Sequence, residues 1–366
     1  MSFHGHGLEN NDQAKFVHVN ATGYADCNDY SHNAVLKNPD ESSNQHKNII
    51  SDNTLDHQAT FTFDPSTSGA WVHLCYKFDN EPYQIYPLLK NQVHHVTNMT
   101  SFVGGPEYIV AHVKERLAIH GNYVTELDFG RWIHHTGSTD ADCNDASLIF
   151  LSDDIASNNV QVNNQEPIVT NVSTAGTSPH HGREITFRFN SSYMGQSPKY
   201  CHKFKNEPYK IYPHLDTKIG HVYALHANVG SNDVAVVDYE KRITFIGGHV
   251  SSNDHVMWTL TSSSSCEAAI VNQHDSALIT KGTGNTTVML DGTNSALFNF
   301  TSANSGDHVR LCYQFGNEPY RTYVEHELDL RMIHNFTTSS GETNRSVVAY
   351  PKPITFFGHG LNKRSR

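Results

Sequence analysis

Along most of the chain, apolar and polar residues alternate singly, the period of a strand with one buried face. In Trp71-Val72-His73-Leu74-Cys75-Tyr76-Lys77-Phe78, one face carries Val72, Leu74, Tyr76 and Phe78, and the other His73, Cys75 and Lys77. Phe61-Thr62-Phe63, Ile185-Thr186-Phe187-Arg188-Phe189 and Leu297-Phe298-Asn299-Phe300-Thr301 read as strands of the same kind. After a turn at Asn80-Glu81-Pro82-Tyr83 a further strand is predicted, ending in the Val-rich Gln92-Val93-His94-His95-Val96. No stretch offers three or four turns of apolar 3.6 periodicity, so no core helix is expected. About seven short strands fit into roughly 110 residues, which predicts an all-β fold of immunoglobulin-like β-sandwiches.

The cysteine strand and the turn after it occur three times. Leu74-Cys75-Tyr76-Lys77-Phe78-Asp79-Asn80-Glu81-Pro82-Tyr83 returns as Tyr200-Cys201-His202-Lys203-Phe204-Lys205-Asn206-Glu207-Pro208-Tyr209 and as Leu311-Cys312-Tyr313-Gln314-Phe315-Gly316-Asn317-Glu318-Pro319-Tyr320. A second phrase, anchored at Gly5, Gly121, Gly247 and Gly358, gives separations of 116, 126 and 111 residues. Seven positions past the first three anchors stand Asp12, Asp128 and Asp254, and eleven past them Phe16, Trp132 and Trp258. Solenoid repeats run roughly 20 to 50 residues, so a period this long is that of an independent domain. Three tandem domains are expected, over residues 1–110, 114–240 and 241–350, with 351–366 the stub of a fourth. The second carries a polar insertion, Ser152 to Glu184, too poor in apolar residues to order itself, and a mobile surface loop is expected there.

Composition narrows the setting. A formal net charge of −11 argues against nucleic-acid binding, which needs a basic face. No apolar run reaches the roughly 18 to 20 residues that span a bilayer. Met1-Ser2-Phe3-His4 shows no signal peptide. The six cysteines nevertheless fall two per repeat, Cys27 with Cys75, Cys143 with Cys201 and Cys266 with Cys312, as intradomain disulfides would. The first of each pair sits in a polar segment, so the bridge should tie a loop to the cysteine strand instead of pinning two sheets together. Asn-x-Ser/Thr sequons at Asn20, Asn98, Asn171, Asn190, Asn285, Asn299, Asn335 and Asn344 point the same way, to a secreted glycoprotein. The chain starts and stops inside a repeat, which is expected of a fragment of a longer repeat protein or an incomplete gene model.

The opening phrase Ile-Thr-Phe-x-Gly-x-Gly-Leu, best kept at Ile354 to Leu361, with Asp seven residues past the first Gly in the complete copies, resembles the first strands of IPT/TIG modules. The Cys-Tyr-x-Phe-x-x-Glu-Pro-Tyr phrase resembles tandem modules of large secreted or cell-surface proteins of algae and other protists. The resemblance spans nearly the whole chain and implies architecture and compartment, with mostly non-catalytic modules.

Candidate chemistry is thin. Glu81, Glu207 and Glu318 each precede a proline, and with Pro82, Pro208 and Pro319 they read as structural turns, lacking the second carboxylate that acid/base catalysis needs. Tyr83, Tyr209 and Tyr320, with Tyr76, Tyr86, Tyr212, Tyr313 and Tyr323, suit core or interface packing; as exposed platforms they would stack on sugar rings. Asp12, Asp26, Asp29, Asp128, Asp142 and Asp145 suit turn capping, with calcium ligation as the rival use. His4, His6, His94, His95, His134, His135, His180 and His181 lack the spacing of a zinc site. With no nucleophile elbow, P-loop or dinucleotide fingerprint, no enzyme, metal or cofactor is expected. The expected role is structural: self-association or contact with other extracellular structural proteins, with a glycan-binding adhesin as the alternative. Ile354 to Leu361 is expected to pair with an exposed sheet edge of the next subunit.

Overall fold

The alternating cysteine phrase forms a central strand three times over. Trp71–Lys77 lies antiparallel between Gln13–His18 and Gln84–Gln92, and Lys199–Lys203 between Phe129–Ile133 and Lys210–Tyr212. His308–Gln314 lies likewise between His255–Leu260 and Arg321–Thr338. The register is the same each time: Phe16 pairs with Leu74, Trp132 with Tyr200 and Trp258 with Leu311. Period-2 alternation therefore sends one face of each sheet into a core. In this computed structural model every residue is described except 5–6, 19–25, 43–44, 52–56, 102–106, 114, 126, 151–168, 171–182, 190, 263–265, 267–287, 303–304, 339–344, 348–350 and 362–366. The insertion thus lies outside the described residues except for 169–170 and 183–184.

A second sheet closes each core. In the first sandwich it comprises Ser2–Phe3, His57–Gln58 and Ile50–Ser51; in the second, Val169–Thr170, Arg183–Phe187, Glu115–Asn122 and His95–Ser101. In the third it comprises Ser295–Phe298, Lys241–Gly248, Lys218–Ala227 and Tyr108–Val110. Three apolar clusters result, built around Phe16, Trp132 and Trp258 respectively. The chain is three immunoglobulin-like β-sandwiches in series, followed by the strand Ile354–His359. No helix among the described residues is long and apolar enough to cross a membrane.

The strands cross the limits set by the glycine phasing. His95–Ser101 falls within the first repeat, yet its ladder runs to Glu115–Asn122 of the second. Lys218–Ala227 begins parallel to Tyr108–Val110 and ends antiparallel to Lys241–Gly248. Arg321–Thr338 is one strand of 18 residues; its first half pairs with His308–Gln314 and its second with Ile354–His359. Ile354–His359 therefore finds its partner inside its own chain, where the sequence suggested the edge of another subunit.

Each crossing is marked by the anchor glycine. A Cβ on Gly121, Gly247 or Gly358 would collide with the carbonyl of His95, His221 or Met332 on the crossing strand. The backbones approach too closely there for any side chain, and this accounts for the fixed glycine of the repeat.

The turn after each cysteine strand adopts a left-handed residue in all three copies: Asp79 (φ 35°), Lys205 (φ 43°) and Gly316 (φ 50°). Only the third copy carries glycine, which takes this conformation without a Cβ penalty. Lys205→Gly is expected to stabilise the second sandwich by up to about 1 kcal/mol, the relief being partly offset by glycine's larger unfolded-state entropy. Thermal unfolding of the variant checks this; a lowered midpoint contradicts it.

Candidate functional site

The repeated aspartate is a structural hub. Asp254 accepts from Ser251 N at 2.8 Å and Ser251 Oγ at 3.1 Å, from the Tyr313 hydroxyl at 2.6 Å and from Gly316 N at 2.9 Å. Asp12 accepts from Glu9 N, the Tyr76 hydroxyl and Asp79 N at 2.8–3.0 Å. Asp128 accepts from Thr125 N, Thr125 Oγ1 and Lys205 N, with His202 Nε2 at 3.4 Å. Each buried carboxylate ties the turn before one strand to the left-handed turn of another. Burial works to raise the pKa of Asp128, but hydrogen bonds from His202 and Thr125 outweigh it and hold the group below the usual carboxylate range. Of the other aspartates weighed as cation ligands, Asp26 accepts from Asn28 N, Asp29 from Ser31 N, Asp142 from Ser138 N and Asp145 from Ser147 N, so these too cap turns as Asp12 and Asp128 do.

The Glu-Pro-Tyr turns sit beside the disulfides. Glu81 N donates to Phe78 O, Glu207 N to Phe204 O and Glu318 N to Phe315 O, so the tight turn closes just ahead of Pro82, Pro208 and Pro319. Disulfides join Cys27 to Cys75, Cys143 to Cys201 and Cys266 to Cys312, with Cα separations of 5.8, 6.0 and 5.7 Å. They pack with Tyr83, Tyr209 and Tyr320 in small clusters outside the main cores. Cys143 lies in the 3-10 turn Asp142–Asn144, so its bridge ties a loop to a central strand. Beside Tyr83 lies the Lys15 ammonium, 4.6 Å from the ring centroid, and beside Tyr209 the Arg131 guanidinium, at 3.6 Å. Tyr209, Tyr212, Tyr313, Tyr320 and Tyr323 are buried. Rings held in this way are not exposed platforms for sugars.

The junctions between sandwiches gather residues that sequence reasoning passed over. Three residues apart at each junction, one side chain enters the upstream core and the next faces downstream, Val93 lying just ahead of His95–Ser101 and the other pairs within their strands. Val93 belongs to the first cluster and Val96 and Met99 to the second; Ile219 belongs to the second and Val222 and Leu225 to the third. Leu330 belongs to the third, and Ile333 and Phe336 follow it at the same spacing. Tyrosine hydroxyls pin the crossings: Tyr212 accepts from Val96 N at 3.5 Å and Tyr323 from Val222 N at 3.4 Å. Side contacts add to this, with Asn122 Nδ2 donating to Ser68 Oγ, Tyr123 OH to Gly69 O and Arg321 pairing with Glu115 at 3.3 Å. The repeat phrase hinted at these positions only through the Tyr-Pro that follows Ile85 and Ile211.

Histidines line the same junctions. His221 is buried between His112 and Tyr323, at ring separations of 5.8 and 5.6 Å. Burial pushes its pKa down; Glu325 opposes this, and His112 and His326 add to it. His95 is lowered by burial first and then by His214, Lys210 and Lys37, against Asp64. A histidine with a depressed folded-state pKa binds its proton more readily when unfolded, so its contribution is complete above the ordinary value of about 6.5 and is lost as pH falls below it. The unfolding midpoint is expected to drop between pH 7 and 5, and to drop less in His221→Gln. Equal pH profiles for the two chains would contradict this.

Of the sequons, Asn98 and Asn335 are exposed at equivalent positions of crossing strands, and Asn299 is half-buried. Asn20, Asn171, Asn190, Asn285 and Asn344 lie outside the described residues.

No protein-family model matches the chain, and no curated protein matches it. Among solved structures it is similar to the three N-terminal domains of the Highly Immunogenic Outer Capsid protein (Hoc) of bacteriophage RB49. That match covers 90% of each chain at 8% identity and a TM-score of 0.26. Extracellular domains 3-5 of Drosophila OTK match 88% of this chain and 86% of theirs at 6% identity and a TM-score of 0.18. A tetra-tandem repeat from the extending region of a large adhesion protein matches 92% of this chain and 71% of its own at 12% identity and a TM-score of 0.19. At these scores the likenesses assign nothing to this chain.

Proposed function

We propose that the chain is a non-enzymatic, secreted structural component of an extracellular surface, wall or filament. The observation that carries this reading is the crossing strand. Lys218–Ala227 puts Ile219 into one core and Val222 and Leu225 into the next, so a strand with side chains in both cores joins the second and third sandwiches in place of a flexible linker. Such coupling sets spacing and direction, which a scaffold needs. Three disulfides suit an oxidising compartment, and glycans at Asn98 and Asn335 would keep the exposed strand faces solvated. The resemblance of the opening phrase to IPT/TIG modules supports the same compartment. The partners are further copies or other extracellular structural proteins. The rival adhesin reading draws no support from its tyrosines, whose rings are mostly buried.

Immunogold labelling of intact cells or particles tests the proposal. Label repeating along a surface layer or appendage is the expected result. Label confined to the cell interior, together with free thiols under non-reducing mass spectrometry, would overturn it.

A further inference from the structure

The two internal junctions are built alike and charged differently. His95 and His221 stand at equivalent positions, each one residue ahead of the amide that donates to a tyrosine hydroxyl: Val96 N to Tyr212 and Val222 N to Tyr323. Each imidazole lies against that same tyrosine, at ring separations of 5.5 and 5.6 Å. The residue two past the tyrosine differs. It is His214 at the first junction, 6.3 Å from the His95 ring, and Glu325 at the second. The next residue differs too. It is Leu215 at the first, and at the second His326, whose Nε2 donates to Val222 O at 3.1 Å.

The surroundings of the two rings carry opposite balances of charge. Around His95 stand His214 and Lys210 of the second sandwich, and Lys37 and Asp64 of the first. Its neighbour His94 turns the other way, against Tyr123 and Phe204, and faces Asp128, Glu207 and His202. Around His221 stand Glu325 and His326 of the third sandwich, with His112 from the segment before Glu115. A proton on His95 therefore meets Lys210, Lys37 and a second imidazole, and the opposing carboxylate, Asp64, belongs to the first sandwich. A proton on His221 meets the Glu325 carboxylate of the sandwich its strand enters.

We infer that the first junction is a hinge released by acid: protonation of His95 and His214 frees the start of the crossing strand His95–Ser101 from the second sandwich, while the second junction holds. Two neighbouring imidazolium rings beside Lys210 repel one another, and the Val96 amide, one residue from His95, leaves Tyr212. His95 takes a proton less readily in the docked strand, where burial and then His214 disfavour its charge, than in the released one. Docking is therefore complete above the ordinary imidazole value of about 6.5 and weakens as pH falls below it. Burial lowers His221 as well, but there Glu325 opposes it. The His326 bond to Val222 O also survives acid, because a protonated imidazole still donates. In acid the chain bends between its first and second sandwiches and keeps its second and third joined. Such a hinge operates whatever surface the chain belongs to, so its failure leaves the scaffold reading standing.

Amide hydrogen exchange on three full-length chains tests this: wild type, His214→Glu and His95→Gln. It is read at about pH 7.5 and about pH 5.5, either side of the ordinary imidazole value, each rate taken relative to an unprotected amide at the same pH. His214 is exposed and His95 half-buried, so both variants are expected to fold. In the wild type, protection of the Val96 amide is expected to fall about tenfold in acid, the effect of one unit of difference in proton affinity. Protection of Val222 is expected to fall less. His214→Glu gives the first junction the carboxylate of the second, and its Val96 is expected to fall no further than Val222. His95→Gln removes the titrating ring, and its Val96 is expected to keep in acid the protection it has at neutral pH. Val96 protection that acid leaves unchanged in the wild type overturns the inference, as does an equal fall at Val222. So does either variant losing as much at Val96 as the wild type.

Discussion

A chain carrying Cys143→Ser and Cys201→Ser is expected to lose about 3–4 kcal/mol from its second sandwich. The bridge closes a separation of 58 residues, and in the chain-entropy account most of its effect lies in restricting the unfolded chain. It also fills a small cluster with Ile133, Tyr209 and Ile211, so two smaller hydroxyls leave packing defects besides. For a module of roughly 100 residues this corresponds to a fall of roughly 10–20 °C in its unfolding midpoint. Calorimetry resolves the affected transition from its neighbours, and an unchanged thermogram would mean that the bridge constrains nothing.

Asp254→Asn is expected to cost the third sandwich about 3 kcal/mol, although it alters a single atom. The native carboxylate receives four hydrogen bonds in a fully buried site, including those from Tyr313 OH and Gly316 N on a different strand and turn. An amide nitrogen in either oxygen's place confronts donors with a donor, and bonds to a charged acceptor are the stronger kind. Tyr313→Phe removes one donor and leaves three, so its cost should be about 1 kcal/mol. Denaturant unfolding of both variants gives the comparison. Equal small losses would show that the aspartate is not what joins these turns.

Much of this fold is legible in the chain. Alternation at Val72, Leu74 and Tyr76 is a local property, and it sets which face of the strand is buried whatever partner arrives. The anchor glycines and the aspartate seven residues on are readable as a period because close backbone approach and a buried carboxylate tolerate few substitutes. The glycine at Gly316 even reports its backbone angle, though Asp79 and Lys205 adopt the same angle without announcing it. The crossing strands are a different case. His94-His95-Val96 looks like the tail of the strand before it, because two apolar residues carry the same signal whichever core receives them. Only pairing decides that Val93 turns one way and Val96 the other, and pairing partners lie tens of residues away. The tyrosines gave an ambiguous signal because burial and ligand stacking use the same ring.

The central claim is that the strand following each cysteine hairpin is built into the next sandwich, across the limits of the sequence repeat, and amide hydrogen exchange along 95–101 tests it most directly. If His95–Ser101 is a working part of the second sandwich, its amides should lose protection in the Cys143→Ser/Cys201→Ser chain. They should keep it in the Cys27→Ser/Cys75→Ser chain, where only the first sandwich is weakened. Protection that follows the first sandwich, or that is absent in the wild type, would contradict the account.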